Sequence, residues 1–370
     1  MAHSLSTSSF SRHVLRAFPA PRFLCTPAVG MEISTQAVRF LELIGTEKKQ
    51  IGRFGVFPVP PGILSQEREI LDASALRKLL TSIREQTGIS FVNVSLPEAK
   101  SYFFRMTVPV SVTPDQIRGV VEFSLEEHVP ISPAEVVFDF EIIPHAMSAQ
   151  GQEVAVSVYP RQMIEQYLAV LQDAGLTPRA FEVEMLSLAR AVVPQGDIRP
   201  HLVVRFGTYR TSLAIIDGGI PAFTATFEIG GNTLTKALTK GLSITEEEAE
   251  HLKKTEGFMH QKKNRELYES LMITMSAVKE EIERHLRYWA TRPENESDAG
   301  RSIKKILLCG GEAGLGGFPE YLEAALRMPV ERANVWTNVF SFDETIPPIS
   351  RDESLTYTTV IGLALRTTVF

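Results

Sequence analysis

One strand–turn–strand pattern occurs twice in this chain, and the repeat constrains the fold more than any other feature. Residues 29–43 read VGMEISTQAVRFLEL and residues 202–216 read LVVRFGTYRTSLAII. Each segment is an apolar strand, a turn of small and hydroxyl residues, and a second apolar strand. Such a turn can bind phosphate through converging backbone N–H groups, so two copies predict two related halves facing each other across a nucleotide cleft. When the copies are aligned, the pairs near the turns are Glu32 with Arg205, Ser34 with Gly207 and Thr35 with Thr208.

Size and charge limit the classes of function. The 370 residues are enough for two or three domains, each with its own hydrophobic core. A content of 44% hydrophobic and 22% charged residues is typical of a globular protein. The net charge of −6 and the pI of about 5.9 argue against a nucleic-acid partner and against electrostatic binding to an anionic membrane.

The cysteine and histidine content argues against a disulfide framework and against a zinc site. Cys25 and Cys309 are the two cysteines, and the eight histidines show no HxxxH or HExxH spacing. No apolar run reaches the roughly 18–20 residues that cross a bilayer, so no transmembrane segment is predicted. Residues 1–26 contain three arginines and no acid. We expect a flexible basic arm there, with an organelle transit peptide as the alternative.

A change of character near Thr113 indicates a small module inserted in the first half. The run Thr113-Pro114-Asp115-Gln116 has a capping threonine and a proline at the first helical position, so a helix is predicted to begin there. The α/β pattern that follows ends near Pro178. The expected units are the arm at 1–26, a first lobe from 27–112 and 179–200, an inserted module at 113–178, a second lobe at 201–350, and a C-terminal helix within 351–370 that packs back on the first lobe.

Hydrophobic periodicity predicts the elements between these points. Apolar residues at spacings of three and four predict helices, and short alternating or β-branched runs predict strands. The predicted helices are 72–85, 113–125, 162–174, 182–193, 232–240, 245–256, 264–290 and 355–365. The predicted strands outside the repeat are 91–96, 103–109, 136–143, 154–159, 220–229 and 303–308, with loops at 144–152 and 291–301.

Three further motifs could contact a nucleotide. Gly310-Gly311-Glu312 follows a buried strand, where glycines let a base or ribose lie against the backbone. A plain strand-to-helix turn is the alternative. Gly230-Gly231-Asn232 follows the second hairpin. Glu250 and Lys253 lie one helical turn apart and could reach a ribose or adenine edge, with a surface ion pair as the alternative.

The order of these features resembles the actin-like ATPase superfamily, which includes actin, Hsp70, sugar kinases and FtsA. The module between the two hairpins is similar in position to that of FtsA and of the PilM family. The segments that resemble PilM are 27–34, 182–191, 227–235 and 244–253, within a resemblance that covers residues 27–366. It implies an actin-like (RNase H-like) two-lobed α/β fold with duplicated halves and a small α/β module inserted in the first half.

The resemblance also implies roles for single residues. Glu32 takes the place of the acid that organises Mg²⁺, whereas Arg205 and Asn232 replace acids and remove negative charge. ATP binding is therefore expected, while Mg²⁺ binding and efficient hydrolysis are not, and no catalytic residue is assigned. The nucleotide-binding residues implied are Glu32, Ser34, Thr35, Gln36, Arg205, Gly207, Thr208, Tyr209, Gly230, Gly231, Glu250, Lys253, Gly310, Gly311 and Glu312.

For function, the resemblance implies a cytoplasmic scaffold of the type IV pilus inner-membrane assembly platform. Such a scaffold would bind the N-terminal tail of PilN in a groove near the inserted module and couple to pilus motor and platform components. One alternative is a working ATPase or sugar kinase, which needs a base where Arg205 stands. The other is an FtsA-like division protein, which would carry a C-terminal amphipathic membrane helix. The sequence given stops at Phe370, directly after the last predicted helix.

Overall fold

The computed structural model describes residues 29–45, 48–148, 151–258, 265–291 and 302–366. The expected basic arm at 1–26 lies outside the described residues. So do residues 292–301 of the expected polar loop and residues 367–370 of the C-terminal unit.

The strands and helices alternate along the chain as expected of an α/β protein. The strands are β1 Val29–Ile33, β2 Ala37–Ile44, β3 Gln50–Pro58, β4 Phe91–Leu96, β5 Tyr102–Val108, β6 Val136–Ser148, β7 Gly151–Pro160, β8 Thr177–Val183, β9 His201–Phe206, β10 Thr211–Asp217, β11 Ile220–Phe227, β12 Ile306–Cys309 and β13 Val330–Arg332. The helices are α1 Ala73–Thr87, α2 Pro114–His128, α3 Arg161–Asp173, α4 Glu184–Val192, α5 Gly231–Leu242, α6 Glu246–Thr255, α7 Arg265–Ala290, α8 Phe318–Leu326, α9 Arg351–Ser354 and α10 Thr358–Ala364.

Two five-stranded sheets share one topology. The first has the order β3-β2-β1-β4-β8, and the second has the order β11-β10-β9-β12-β13. In the first sheet β3, β2 and β1 form an antiparallel meander, β4 pairs in parallel with β1, and β8 pairs in parallel with β4. In the second sheet β11, β10 and β9 form the meander, β12 pairs in parallel with β9, and β13 pairs in parallel with β12. The repeated hairpin is thus the start of a duplicated sheet, and the predicted α/β fold with duplicated halves is confirmed.

Local sequence signals explain where the helices begin and end. Asp72 caps α1, since its carboxylate accepts a hydrogen bond of 2.9 Å from the Ala75 amide. Gly88 ends that helix in the left-handed conformation, with φ of 68°. Thr245 and Glu248 form a capping box at the start of α6, with the Thr245 amide 2.9 Å from the Glu248 carboxylate.

The inserted module has a sheet and a hydrophobic core of its own. Its sheet has the order β5-β7-β6, and α2 packs on it through Ile117, Val121 and Leu125. The strand β5, which the sequence placed in the first lobe, pairs with β7 and not with the first sheet. Pairing partners far along the chain cannot be read from a strand's own sequence. We therefore propose that the inserted module begins just before β5. The boundaries of the other units remain a proposal.

Several elements differ from the sequence-based expectation. β8 was not predicted because Pro178 interrupts its pattern. This strand includes Glu182 and Val183, so α4 begins at Glu184 and not at Glu182 as expected. β6 and β7 extend through most of the expected loop at 144–152. The helix α8 and the short strand β13 were not predicted either.

The helix α10 packs against the first sheet and α4 at two glycines. A Cβ atom added to Gly30 would lie 2.0 Å from the Val360 carbonyl oxygen, and one added to Gly362 would lie 1.8 Å from the Ser187 carbonyl oxygen. Only glycine permits backbones to approach this closely. The last described helix is thereby fixed beside the first described strand.

None of the described helices combines the length and the apolarity that crossing a membrane requires.

Candidate functional site

The turns of the two repeated hairpins line one cleft between the sheets. Ser34, Thr35 and Gln36 come from the first turn, and the Thr208 hydroxyl donates a hydrogen bond of 3.1 Å to the Gln36 side-chain oxygen across the cleft. The other residues predicted from the sequence that line the cleft are Arg205, Gly207, Tyr209, Gly310 and Gly311. Together with Thr208, the structure therefore brings nine of the fifteen predicted nucleotide-binding residues to one place.

The second turn is held from behind by the start of α5. The amides of Gly231 and Asn232 donate to the carbonyl oxygens of Gly207 and Thr208 at 3.0 and 2.7 Å. A Cβ atom on Gly230 would lie 2.6 Å from the Gly207 carbonyl oxygen. The predicted residues Gly230 and Gly231 thus support the turn and do not line the cleft.

A buried cluster of charged groups lies at the floor of the cleft. The Arg205 guanidinium is 2.7 Å from a Glu32 carboxylate oxygen and 3.0 Å from a Glu184 carboxylate oxygen. Arg68 lies 2.9 Å from the other Glu184 oxygen. The Thr359 hydroxyl of α10 donates to Glu184 at 3.1 Å. Because Arg205 belongs to the second lobe and the two glutamates to the first, the cluster joins the lobes.

Burial and charge act in opposite directions on the two glutamates. Glu32 and Glu184 are 1% and 2% exposed. Burial raises the pKa of Glu32 above its ordinary value, against the opposing effect of Arg205. Burial also acts on Glu184, but Arg205 and Arg68 outweigh it and hold the pKa of Glu184 at about 2. Glu184 is therefore the ionised partner of the two arginines over the whole physiological pH range.

These residues do not fit a bound Mg²⁺ ion. Mg²⁺ requires several oxygen ligands in octahedral geometry, whereas Glu32 is bound to the guanidinium of Arg205. No group of three or more His, Cys, Asp or Glu side chains that could hold a metal ion occurs in the part of the chain that the structure describes. A positive side chain thus lies beside the carboxylate that was the candidate metal ligand.

Glu250, Lys253 and Glu312 form a second network beside the cleft. The Lys253 ammonium is 2.8 Å from Glu250, 3.0 Å from Glu312 and 3.3 Å from the Gly231 carbonyl oxygen. Lys253 is only 1% exposed, so this is not the surface ion pair that was the alternative interpretation. The three side chains face one another and do not line the cleft. Their predicted contact with a ribose or adenine remains a prediction.

The sequence did not identify several residues that line the cleft. Glu184 carries a weak signal, since it is an acid at the start of the apolar helix α4. Arg39 and Arg210 belong to the two repeated hairpins, but the alignment of the turns did not single them out. Arg68 and Glu98 come from segments without any motif, and their position depends on tertiary packing.

A separate groove lies between the inserted module and the first lobe. Its two sides are β6 and β8, each the edge strand of its own sheet. Phe103, Phe140 and Phe181 contribute apolar surface to it. Its charged residues are Asp139, Glu141, Arg179, Glu182 and Arg366.

Comparison with known proteins assigns the family. The model of the family described as type IV pilus assembly protein PilM matches residues 30–368. A solved PilM–PilN type IV pilus biogenesis complex contains a similar chain, with a TM-score of 0.76 and 23% identity, covering 92% of this chain and 98% of that one. MreB5 of Spiroplasma citri bound to ADP is similar with a TM-score of 0.54 and 15% identity, covering 90% of this chain and 94% of that one.

A curated relative matches over a shorter stretch of the chain. Cell division protein FtsA of Streptococcus pneumoniae serotype 2 (strain D39 / NCTC 7466) is 24% identical over 293 residues, which are 70% of this chain and 64% of that protein. The match therefore spans less than two thirds of the length of this FtsA. Because the family match extends over nearly all of the described residues, and because the solved PilM chain and MreB5 have similar folds, the chain belongs to the PilM family of type IV pilus assembly proteins and has the actin-like fold.

Proposed function

We propose that this protein is a scaffold at the cytoplasmic face of the inner membrane, where it binds the N-terminal tail of a PilN-like membrane protein. Through that tail it would couple to the pilus motor and to other platform components. Family membership and the similarity to a chain of a PilM–PilN complex support the proposal. The observation that carries it is the groove between β6 and β8.

The two edge strands suit this groove to an extended peptide. An edge strand has backbone N–H and C=O groups along one side that can pair with an added strand. Both β6 and β8 are edge strands, and the aromatic rings of Phe103, Phe140 and Phe181 offer apolar surface to the side chains of such a peptide. A tail could thus gain main-chain hydrogen bonds and apolar burial at one site.

The charges of the groove favour a tail with a positive group. Arg190 and Arg366 each lie 2.7 Å from Glu182 and neutralise it. Burial, and then Glu182, raise the pKa of Glu141 above its ordinary value. A positive group of the tail beside Glu141 would lower this pKa again, because an opposite charge stabilises the ionised carboxylate.

Filling the groove should prevent tail binding. Ala180 of β8 lines the groove, and we expect Ala180→Trp to weaken binding of a synthetic PilN-like tail peptide at least about tenfold, because each 1.4 kcal/mol of lost contact is a factor of ten. Isothermal titration calorimetry would measure the affinity. The control is Phe123→Ser, which alters a 92% exposed aromatic residue of the same module that does not line the groove. Equal affinity of the Ala180→Trp variant and the wild type would exclude this groove as the site.

We also propose that the cleft binds ATP without efficient hydrolysis, in contrast to an active ATPase or sugar kinase. Ser34, Thr35 and Thr208 would face the phosphates, which supply negative charge to a cleft with four arginines: Arg39, Arg68, Arg205 and Arg210. Arg205 stays protonated beside Glu32 and Glu184, so it cannot act as a general base, and its positive charge repels a metal ion.

The expected result for the wild-type protein is stabilisation without turnover. ATP should raise the midpoint of thermal unfolding, because a ligand that binds only the folded state stabilises it. The rise should be the same in MgCl₂ and in EDTA, since no metal site contributes. A phosphate-release assay run on the same samples should show no Mg²⁺-dependent activity. Clear turnover that requires Mg²⁺ would instead identify an active ATPase.

A further inference from the structure

Four buried side-chain atoms without a hydrogen-bond partner line the cleft between the hairpins. They are Arg39 Nε, Arg68 Nη1 and both carboxyl oxygens of Glu98. Eight such atoms occur among the described residues, so half of them lie at this one site. A buried polar atom left unpaired is costly, and a cluster of them points to a ligand or ion that supplies the partners.

The backbone at Arg68 is strained in a way that places its side chain at the site. Arg68 has φ of 64°, a left-handed conformation that is unfavourable for any residue with a Cβ atom. The Tyr167 hydroxyl donates to the Arg68 carbonyl oxygen at 2.5 Å and holds the turn in place. The Nη1 atom of Arg68 lies 4.0 Å from a Glu32 carboxylate oxygen, which is too far for a hydrogen bond. Strain of this kind is found where position matters for binding.

Arg39 approaches the same point from the hairpin. It lies opposite Glu32 in the register of β1 and β2. Its guanidinium lowers the pKa of Glu32, although burial has the larger and opposite effect. Arg39 and Arg68 therefore place two guanidinium groups around the candidate metal ligand of the fold.

Glu98 supplies the third group. It is 9% exposed and follows the end of β4 in the short 3₁₀ turn Glu98–Lys100. Lys100 of that turn pairs with Glu67 at 3.0 Å and not with Glu98. The charged or polar groups that face Glu98 are Glu184 and the Met185 amide of α4, Arg68, the Tyr159 hydroxyl of β7 and the Thr224 hydroxyl of β11.

The surroundings of Glu98 favour its neutral form. Burial, and then the Glu184 carboxylate, raise the pKa of Glu98 to about 7, against the Met185 amide, Arg68 and Thr224, which lower it. The amide and the hydroxyl face the carboxyl group but lie outside hydrogen-bonding geometry. A neutral carboxylic acid is a hydrogen-bond donor, whereas a carboxylate only accepts.

We propose that Arg39, Arg68 and Glu98 form a phosphate-binding subsite in which two arginines take the place of the divalent cation and the Glu98 acid donates a hydrogen bond to a phosphate oxygen. The inference rests on the proposed nucleotide binding and names the residues that carry it. The contacts of Thr208 with Gln36 and of Arg210 with Glu67 at 3.4 Å lie in the same cleft.

Linkage gives the direction of the pH effect. The ligand binds the form of the protein in which Glu98 is neutral, because an ionised Glu98 would repel a phosphate oxygen. With a pKa of about 7 the neutral form predominates at pH 6 and is the minor form at pH 8. Affinity should therefore fall as the pH rises through this range, by about tenfold between pH 6 and pH 8.

The test is the affinity for ATP in EDTA, measured by calorimetry at pH 6 and pH 8. Glu98→Gln keeps a hydrogen-bond donor and does not titrate, so its own pH dependence reports the titration of the ATP phosphates. For each protein the dissociation constant at pH 8 is divided by that at pH 6. This ratio should be about tenfold larger for the wild type than for the Glu98→Gln variant. Arg39→Gln should weaken binding at least about fivefold at both pH values.

The outcomes separate this inference from the function on which it rests. Identical pH dependence of the wild type and the Glu98→Gln variant would overturn it, as would full affinity of the Arg39→Gln variant, even though ATP binding itself would stand. Failure of ATP to bind the wild type at either pH would overturn both. If the Glu98→Gln variant does not fold, the Arg39→Gln result alone decides the role of the arginines.

Discussion

Replacing Arg205 with alanine is expected to lower the free energy of unfolding by about 3–5 kcal/mol, the usual cost of removing one partner from a buried ion pair. Arg205 is the shared partner of Glu32 and Glu184, which are 1% and 2% exposed. Its loss leaves both carboxylates with less positive charge nearby, while they remain shielded from water. Urea unfolding followed by circular dichroism would measure the change.

The effect of this substitution should depend on pH with a definite sign. Without Arg205, the folded-state pKa of each glutamate rises, so protonation can remove the unpaired charge as the pH falls. The loss of stability should therefore be larger at pH 8 than at pH 5. The control is Arg265→Ala, since the side chains of Arg265 and its ion-pair partner Glu269 are 86% and 59% exposed and such a pair is worth little. A deficit for Arg205→Ala that is no larger than that of the control would refute a structural role for the buried cluster.

The second large effect is expected at Gly362, where alanine should destabilise the fold by at least about 2 kcal/mol, within the range for overpacked cores. The added methyl group would lie 1.8 Å from the Ser187 carbonyl oxygen, so α10 must move away from α4. This cost exceeds the gain of up to about 1 kcal/mol that alanine brings to a helix interior. The unfolding midpoint in urea is again the measurement.

Gly119→Ala is the matched control, because it makes the same substitution in another helix. Gly119 lies in the interior of α2, is exposed, and has no atom within 4 Å of the added methyl group. Helix propensity alone then applies, and we expect this variant to be more stable than the wild type by about 0.5–1 kcal/mol. Opposite signs for the two variants would show that contact at Gly362 decides the result. Stabilisation by both would contradict the packing of α10 described above.

The sequence allowed prediction of the repeated hairpins because their information is local. Alternating apolar residues and a short turn specify a hairpin wherever it lies, and the second occurrence of the hairpin at 202–216 indicated two related halves. Pairing between distant strands is not local, and for that reason the sequence did not indicate that β5 pairs with β7. β8 was missed for a different reason, because Pro178 interrupts the pattern of a strand that pairs in parallel with β4.

The candidate site was predictable to a similar extent. The residues on the turns could be named because the turns themselves could be found. Arg68 and Glu98 lie in short irregular segments whose position follows from packing against α4 and the module, so no spacing in the sequence indicates them. The pair Glu250 and Lys253 was correctly placed on one helix, but its partner Glu312 lies 59 residues beyond Lys253 in the chain.

The contact of α10 with β1 has a consequence for how the protein is made. Gly30 lies in the first described strand, and its neighbour Val360 lies in the last described helix. A ribosome releases the chain from the N-terminus at about 5–20 residues per second, so the first sheet waits for most of the synthesis before its covering helix exists. Until then the apolar face of β1 remains uncovered. The second lobe, whose sheet is completed within its own segment of chain, can fold before the first lobe acquires α10.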